Sequence, residues 1–270
     1  MEMSAIIRLL LFLIAVITLT SWEFLSPRRN RNHSRKSRWV GNYIVSLLDI
    51  GVLRLVFPIV AVGTAMFAAE KGWGILNMTA IPDYLAVIIS VIVLDFVVYI
   101  QHVMFHAIPL LWRIHMMHHT DLDLDLTSGL RFHPFEHILS MILKMSAVAL
   151  LGAPVLGVMI FEIGLNVVSM FNHSNVYMPI WLDRIIRKVI VTPDMHRVHH
   201  SVRIKETNSN FGFNLSWWDY LLGTYKDQPA DGHQKMTIGH ALHRENNVLS
   251  LWTMLKIPFT GKTGKYPINR

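Results

Sequence analysis

The sequence predicts an all-α integral membrane helical bundle, with about three spanning helices, a re-entrant helical hairpin and a cytoplasmic cap carrying histidine clusters. Three observations predict it. Apolar residues make up 52% of the 270-residue chain and charged ones only 16%, against about a quarter in an ordinary globular chain. The apolar residues are gathered into long runs separated by short polar stretches. Most of the fifteen histidines lie where those runs end.

Residues 5–22 are apolar except for Arg8. That is close to the roughly 20 residues a spanning helix needs, and Arg8 can reach the headgroups along its aliphatic stem. No A-x-A site precedes the basic run that follows, which favours a retained span over a cleaved signal peptide. Residues 27–40 then hold Arg28, Arg29, Arg31, Arg35, Lys36 and Arg38 without a single acid. Between two apolar runs this reads as an anchor on the cytoplasmic side, so the net charge of +7 does not argue for a nucleic-acid partner.

A second span is expected over 43–69, kinked at Pro58, whose ring clashes with the preceding turn. A third is expected over 82–101, opened by Pro82. Asp95 interrupts its apolar run, and a carboxylate there is a candidate functional group. It lies two turns before His102 on the same face, so it is expected to accept a hydrogen bond from a metal-binding imidazole. Residues 138–171 are apolar but broken by Gly152-Ala153-Pro154. They are read as two half-length helices that enter and leave on one face. Residues 172–270 form the cap, and the chain divides into anchor helices (1–89), a central region (90–228) and a polar tail (229–270). The active face would be cytoplasmic, in a bacterial inner membrane or the endoplasmic reticulum.

The histidines carry the chemistry. His102-x3-His106 closes the third span, and His115-x2-His118-His119 follows it. His196-x2-His199-His200 repeats the second pattern. At random the H-x-x-H-H pattern is expected about 0.05 times in a chain of this composition, and it occurs twice. Residues three and four apart share a helix face, so each group can aim its imidazoles at one point. Eight imidazoles exceed the ligand number of one ion and suggest two metals, with iron, zinc, copper and nickel all suited to nitrogen donors. The chain has no cysteine, which excludes disulfides, thiolate nucleophiles and cysteine metal sites. H-E-x-x-H is absent, and a bis-histidine haem would leave most of the set unused.

Several motifs in one order resemble the fatty acid hydroxylase / sterol desaturase superfamily. They are Asp95-x3-Tyr99-x2-His102-x3-His106, Trp112-x2-His115-x2-His118-His119, Arg131-Phe132-His133-Pro134-Phe135-Glu136, Asn172-His173-Ser174-Asn175, Thr192-Pro193-x2-His196-x2-His199-His200 and the run from Asn210 to Tyr225. The resemblance covers roughly residues 90–228 and implies a catalytic region there. It implies a non-haem di-iron enzyme that uses O2 and a separate electron donor to hydroxylate or desaturate a lipid C–H bond. By the same resemblance His102, His106, His115, His118, His119, His196, His199 and His200 are ligands, and His173 joins them. His133 is a weaker candidate, as ligand or as helix cap. Asp194 and Asp219 could accept from imidazole N–H groups, although Asp219 could equally pair with Arg197 or Arg203.

Trp112, Phe132, Phe171 and Trp181 are candidate walls of an apolar channel. Asp121-Leu-Asp-Leu-Asp-Leu alternates strictly and is expected to present a solvated acidic edge. His33, His233, His240 and His243 are expected at the surface, and His137 in a structural role. A reading from another class remains beside the enzyme: a non-catalytic metal transporter or sensor, which would spread its histidines through the depth of the membrane.

Overall fold

The first apolar run forms a single helix, α1 (Glu2–Leu25). The computed structural model describes residues 2–268, and no sheet forms among them; the extended pieces meet only as isolated bridges. The second helix, α2 (Arg35–Val56), begins inside the basic run. It stops before Pro58 instead of kinking there. Phe57 is extended, with φ −117° and ψ 105°, because a residue preceding proline is pushed out of the helical region. The chain resumes as α3 (Ala61–Lys71).

The third span is longer than expected. Helix α4 (Asp83–Ala107) runs unbroken through His102 and His106. Proline again ends it: Ile108 is extended, and Pro109 opens α5 (Pro109–His119). After a 3-10 turn at Leu126–Leu130, the broken apolar run forms α6 (Pro134–Leu151) and α7 (Val155–His173). Gly152 turns between them at φ +69°, a conformation that favours glycine. These helices have 18 and 19 residues, or roughly 27 Å each. The half-length helices expected from sequence are therefore long enough to cross. Helical structure continues through Pro134–His137 and Asn172–His173, polar positions that sequence reading left outside. The pair still returns to its starting side. Among the described residues, five apolar segments are long enough to cross a membrane: α1, α2 with α3 to Met78, α4, α6 and α7.

Leu94 and Val98 of α4, Met141 and Val148 of α6, and Val158 and Phe161 of α7 form one buried apolar cluster. The end of α4, the start of α6 and the end of α7 meet at another level, where His102, Glu136 and His173 all contact α5. Above it lie α8 (Ile180–Ile186), α9 (Pro193–His199), α10 (Ile204–Thr207), α11 (Trp217–Leu221), α12 (Gly232–Lys235) and α13 (Leu251–Thr260). The C-terminal stretch is more than a polar tail. Met254, Ile257 and Tyr266 pack with Trp112, Met116 and Leu122 of the preceding region. His233 and His240, expected at the surface, are buried. The His240 ring lies 4.3 Å from that of Tyr266.

Candidate metal centre

Four elements deliver nine imidazoles to one chamber. Helix α4 brings His102 and His106, and α5 brings His115, His118 and His119. His173 is the last residue of α7. Thr192 caps α9 by accepting from the Met195 amide, Pro193 sits at its first turn, and His196, His199 and His200 follow. All nine are buried. They fall into two groups whose ligand atoms lie within 4.8 Å of one another: His102, His106, His115, His119 and His199 in one, His118, His173, His196 and His200 in the other. Each H-x-x-H-H box is thus divided. His115 and His119 go to the first group and His118 to the second, whereas His196 and His200 go to the second and His199 to the first. On a helix, positions i and i+4 point about 40° apart and adjacent positions about 100° apart, so one box can serve two centres.

Six of the nine rings have their outward nitrogen held by an acceptor. Nδ1 of His102 donates to Phe211 O at 2.7 Å, that of His118 to Arg131 O at 3.0 Å, that of His173 to Ser169 O at 2.7 Å, and that of His199 to Ser209 O at 2.8 Å. His115 Nδ1 donates to Glu136 Oε1 at 2.8 Å. His106 Nδ1 lies 3.0 Å from Asn208 Oδ1, and the Asn208 amide nitrogen donates to Tyr266 O, which orients its oxygen toward the ring. A carbonyl only accepts, so His102, His106, His118, His173 and His199 carry the proton on Nδ1 and turn a bare Nε2 lone pair inward, and an ionised Glu136 would hold His115 in the same tautomer.

Those lone pairs face each other. The Nε2 atoms of His102 and His115 are 3.2 Å apart, and those of His118 and His173 are 3.1 Å apart. Neither member of either pair has a proton to share, so the arrangement is repulsive without a cation between them. Metal–imidazole bonds of about 2.1 Å at octahedral or tetrahedral angles place neighbouring nitrogens roughly 3.0–3.4 Å apart. Nε2 of His106 and His199, and both ring nitrogens of His119 and His200, are buried with no hydrogen-bond partner. The donor set therefore fits two metal ions held by nitrogen alone.

The surroundings keep the rings neutral. Burial pushes His115 down to about 3. Burial and neighbouring imidazoles hold His118, His119, His196, His199 and His200 well below their ordinary value. Phe132 stacks on His118 at 4.5 Å, Phe213 lies 5.0 Å from His102, and Phe211 lies 5.1 Å from His106. Trp112 closes another side, 4.8 Å from His106. Of the other expected wall residues, Phe171 packs on Trp22 and Trp181 is exposed.

The carboxylates play different parts from those expected. Asp121, Asp123 and Asp125 are buried, not solvated. Arg38 Nε donates to Asp121 Oδ1 at 2.7 Å, and its other nitrogens reach Asp125 and Asp123 O. Burial alone would raise the Asp121 carboxyl, but Arg38 beside it holds it well below its usual range. Part of the expected surface anchor is therefore a core ion pair that ties the end of α5 to α2. Asp95 meets no imidazole; its Oδ2 accepts from Trp218 Nε1 at 2.8 Å and the Leu215 amide at 3.2 Å. Asp219 accepts from the Phe211 and Gly212 amides and Thr224 Oγ1, not from Arg197 or Arg203. It thereby shapes the loop whose Phe211 carbonyl holds His102. Asp194 pairs with Arg28 and Arg197, not with a ring of the chamber. His133 is the cap of α6, accepting from the Phe135 amide at 3.2 Å, and lies outside both groups.

Sequence reading missed Glu136 and Asn208 as partners of His115 and His106. For Glu136 the available signal was a carboxylate in the first turn of an apolar helix; for Asn208 there was none.

The model of the family described as "Fatty acid hydroxylase" matches residues 87–224. The chain is 33% identical over 151 residues to ornithine lipid hydroxylase OlsE of Rhizobium tropici, which covers 55% of this chain and 44% of that protein. It is 27% identical over 138 residues to alkylglycerol monooxygenase of Xenopus tropicalis, covering 48% of this chain and 28% of that protein. It thus spans less than half the length of these two relatives. No solved structure matches the chain.

Proposed function

The chain belongs to the fatty acid hydroxylase family, and from that premise we propose that it is a membrane-bound lipid hydroxylase with a non-haem di-iron centre. The observation that carries the two-ion reading is the facing of bare lone pairs, His102 against His115 and His118 against His173. The nine histidines named above are the proposed ligands, divided as the two groups divide. Two irons held there would supply the one-electron chemistry needed to use O2 against a C–H bond, with electrons from a separate donor protein. Hydroxylation is preferred to desaturation because both relatives carry hydroxylase or monooxygenase names. Those names also point the substrate toward a membrane lipid with a polar head and long chains.

The chain's own groups do the rest. Neutral imidazoles would leave the net charge of bound ions uncompensated, which would keep the centre electron-poor. Phe132, Phe211 and Phe213 exclude water from the rings they cover. Glu136 and Asn208 fix the ring planes of His115 and His106, as acceptors behind metal-bound histidines generally do. The reacting carbon would approach from the apolar side, between α4, α6 and α7. The clustering also weighs against a transport path, since all nine histidines lie at one level. The face would be cytoplasmic, from the basic run at 27–40.

Metal analysis of the purified protein tests this directly. The expected outcome is two irons per chain, with one atom from labelled O2 appearing in a hydroxylated lipid. A single labile zinc with no oxygen incorporation would overturn it.

A further inference from the structure

Helix α13 presents one face that nothing among the described residues covers. Trp252 is 67% exposed and Phe259 66%, with Lys256 exposed between them. The three are spaced four and three apart, so they share one face. The opposite face is buried through Met254, Ile257 and Pro258. Lys256 Nζ lies 4.5 Å over the Trp252 ring.

The helix lies where the spans end. The Phe259 ring is 6.1 Å from Phe135 and 6.2 Å from His133, at the first turn of α6. The Ile268 amide donates to His106 O at 2.9 Å, at the last turn of α4. Gly41, near the start of α2, lies so close that an added Cβ would be 2.6 Å from Leu249 O and from Met254 Cε. Residues 246–268 contain Lys256, Lys262 and Lys265 and no acid. Two aromatic rings around a lysine, at the level where apolar helices meet the cap, have the composition of a membrane-interface surface. Aromatic rings concentrate at the headgroup level, and lysines there are drawn to anionic lipid.

We infer that α13 lies in the plane of the bilayer surface and docks through Trp252, Lys256 and Phe259 onto anionic phospholipid. Its buried face packs on Trp112 and Met116 of α5, so the same helix that rests on the lipid supports the helix bearing His115, His118 and His119.

The cysteine-free chain makes the test clean. Phe259→Cys, and Ala230→Cys in an exposed cap loop, each accept a single fluorescent label. The labelled holoenzyme is reconstituted in vesicles of phosphatidylcholine, with or without phosphatidylglycerol. At 259 a nitroxide lipid carrying its quencher at headgroup depth should quench the label and acrylamide should not; at 230 the order should reverse. Lys256→Glu should lower protection at 259 about fivefold in the anionic vesicles, and leave it unchanged in neutral ones. Equal access of acrylamide to 259 and 230 overturns the docking. Protection at 259 from both quenchers also overturns it, by identifying a protein or a second copy as the cover. An unaltered signal for Lys256→Glu in anionic vesicles overturns the lipid charge preference. Bound iron, measured on each variant, reports that the chain remains folded. None of these readouts involves turnover, so their failure is separate from failure of the hydroxylase reading.

Discussion

Two buried polar regions lie side by side in this protein, and they are finished differently. In the network around Arg38, every charge has its partner. Asp121, Asp125, Ser128 and the Asp123 carbonyl surround one guanidinium, and the Arg131 guanidinium reaches Asn42, Thr120, Met117 O and Val248 O. In the histidine chamber the outward nitrogens of six rings are satisfied, while Nδ1 of His196, Nε2 of His106 and His199, and both nitrogens of His119 and His200 have no partner. Buried polar atoms are costly when unpaired, so the first pattern is that of structure and the second that of a candidate ligand site. Burial alone does not separate the two regions; partnering does.

The comparison can be broken at several points. The largest effect is expected from His118→Ala, which should abolish product formation and lower bound iron. Without metal, its melting temperature should fall far less than that of an Arg38 variant, because it removes one of two opposed lone pairs. Full activity with normal iron would remove His118 from the centre. Arg38→Ala should do the opposite. It strands two buried carboxylates, a change that typically costs about 3–5 kcal/mol, and thermal unfolding in detergent should show it with or without iron. An unchanged melting temperature would make the network dispensable.

Glu136→Gln tests the border between the regions. The amide still fits the space, but one carboxyl oxygen becomes an NH2 group that cannot accept from His115. Iron affinity or turnover should fall about 10- to 100-fold while the melting temperature of the metal-free protein holds. Loss of stability with normal turnover would assign Glu136 to structure instead.

The smallest effect is expected at His233, a buried imidazole outside the chamber. Burial pushes it down to about 3, despite Asp194 nearby. Its folded value lies below its unfolded one, so its share of stability is present above about pH 6.5. That share is lost as pH falls toward 3. His233→Gln should therefore flatten the acid limb of the melting curve between those values relative to the unaltered chain. Identical limbs would show that this ring is not held neutral.

Much of the site was legible before folding. The spacing of His102 with His106, and of each H-x-x-H-H box, shows which rings can share a helix face, because helical geometry is local. The division of each box between two groups was not legible. Helix geometry permits it, but the choice depends on where α4, α7 and α9 converge. The Asp121–Asp125 run failed for a related reason. Alternating acids read as a solvated edge until Arg38, over eighty residues earlier, is brought beside them. His133 and Asp95 look like members of the site by proximity in sequence, yet a cap and a tryptophan take their hydrogen bonds.

What the sequence by itself determined was the helical class, the apolar segments and the stock of nitrogen donors, since periodicity, length and composition are properties of the chain. Tertiary structure decided which histidines oppose which, that the basic run contributes a core arginine, and that the C-terminal stretch packs under the histidine-bearing α5. These follow from contacts between residues tens to hundreds of positions apart, and only burial and partnering in three dimensions distinguish a solvated charge from a core one.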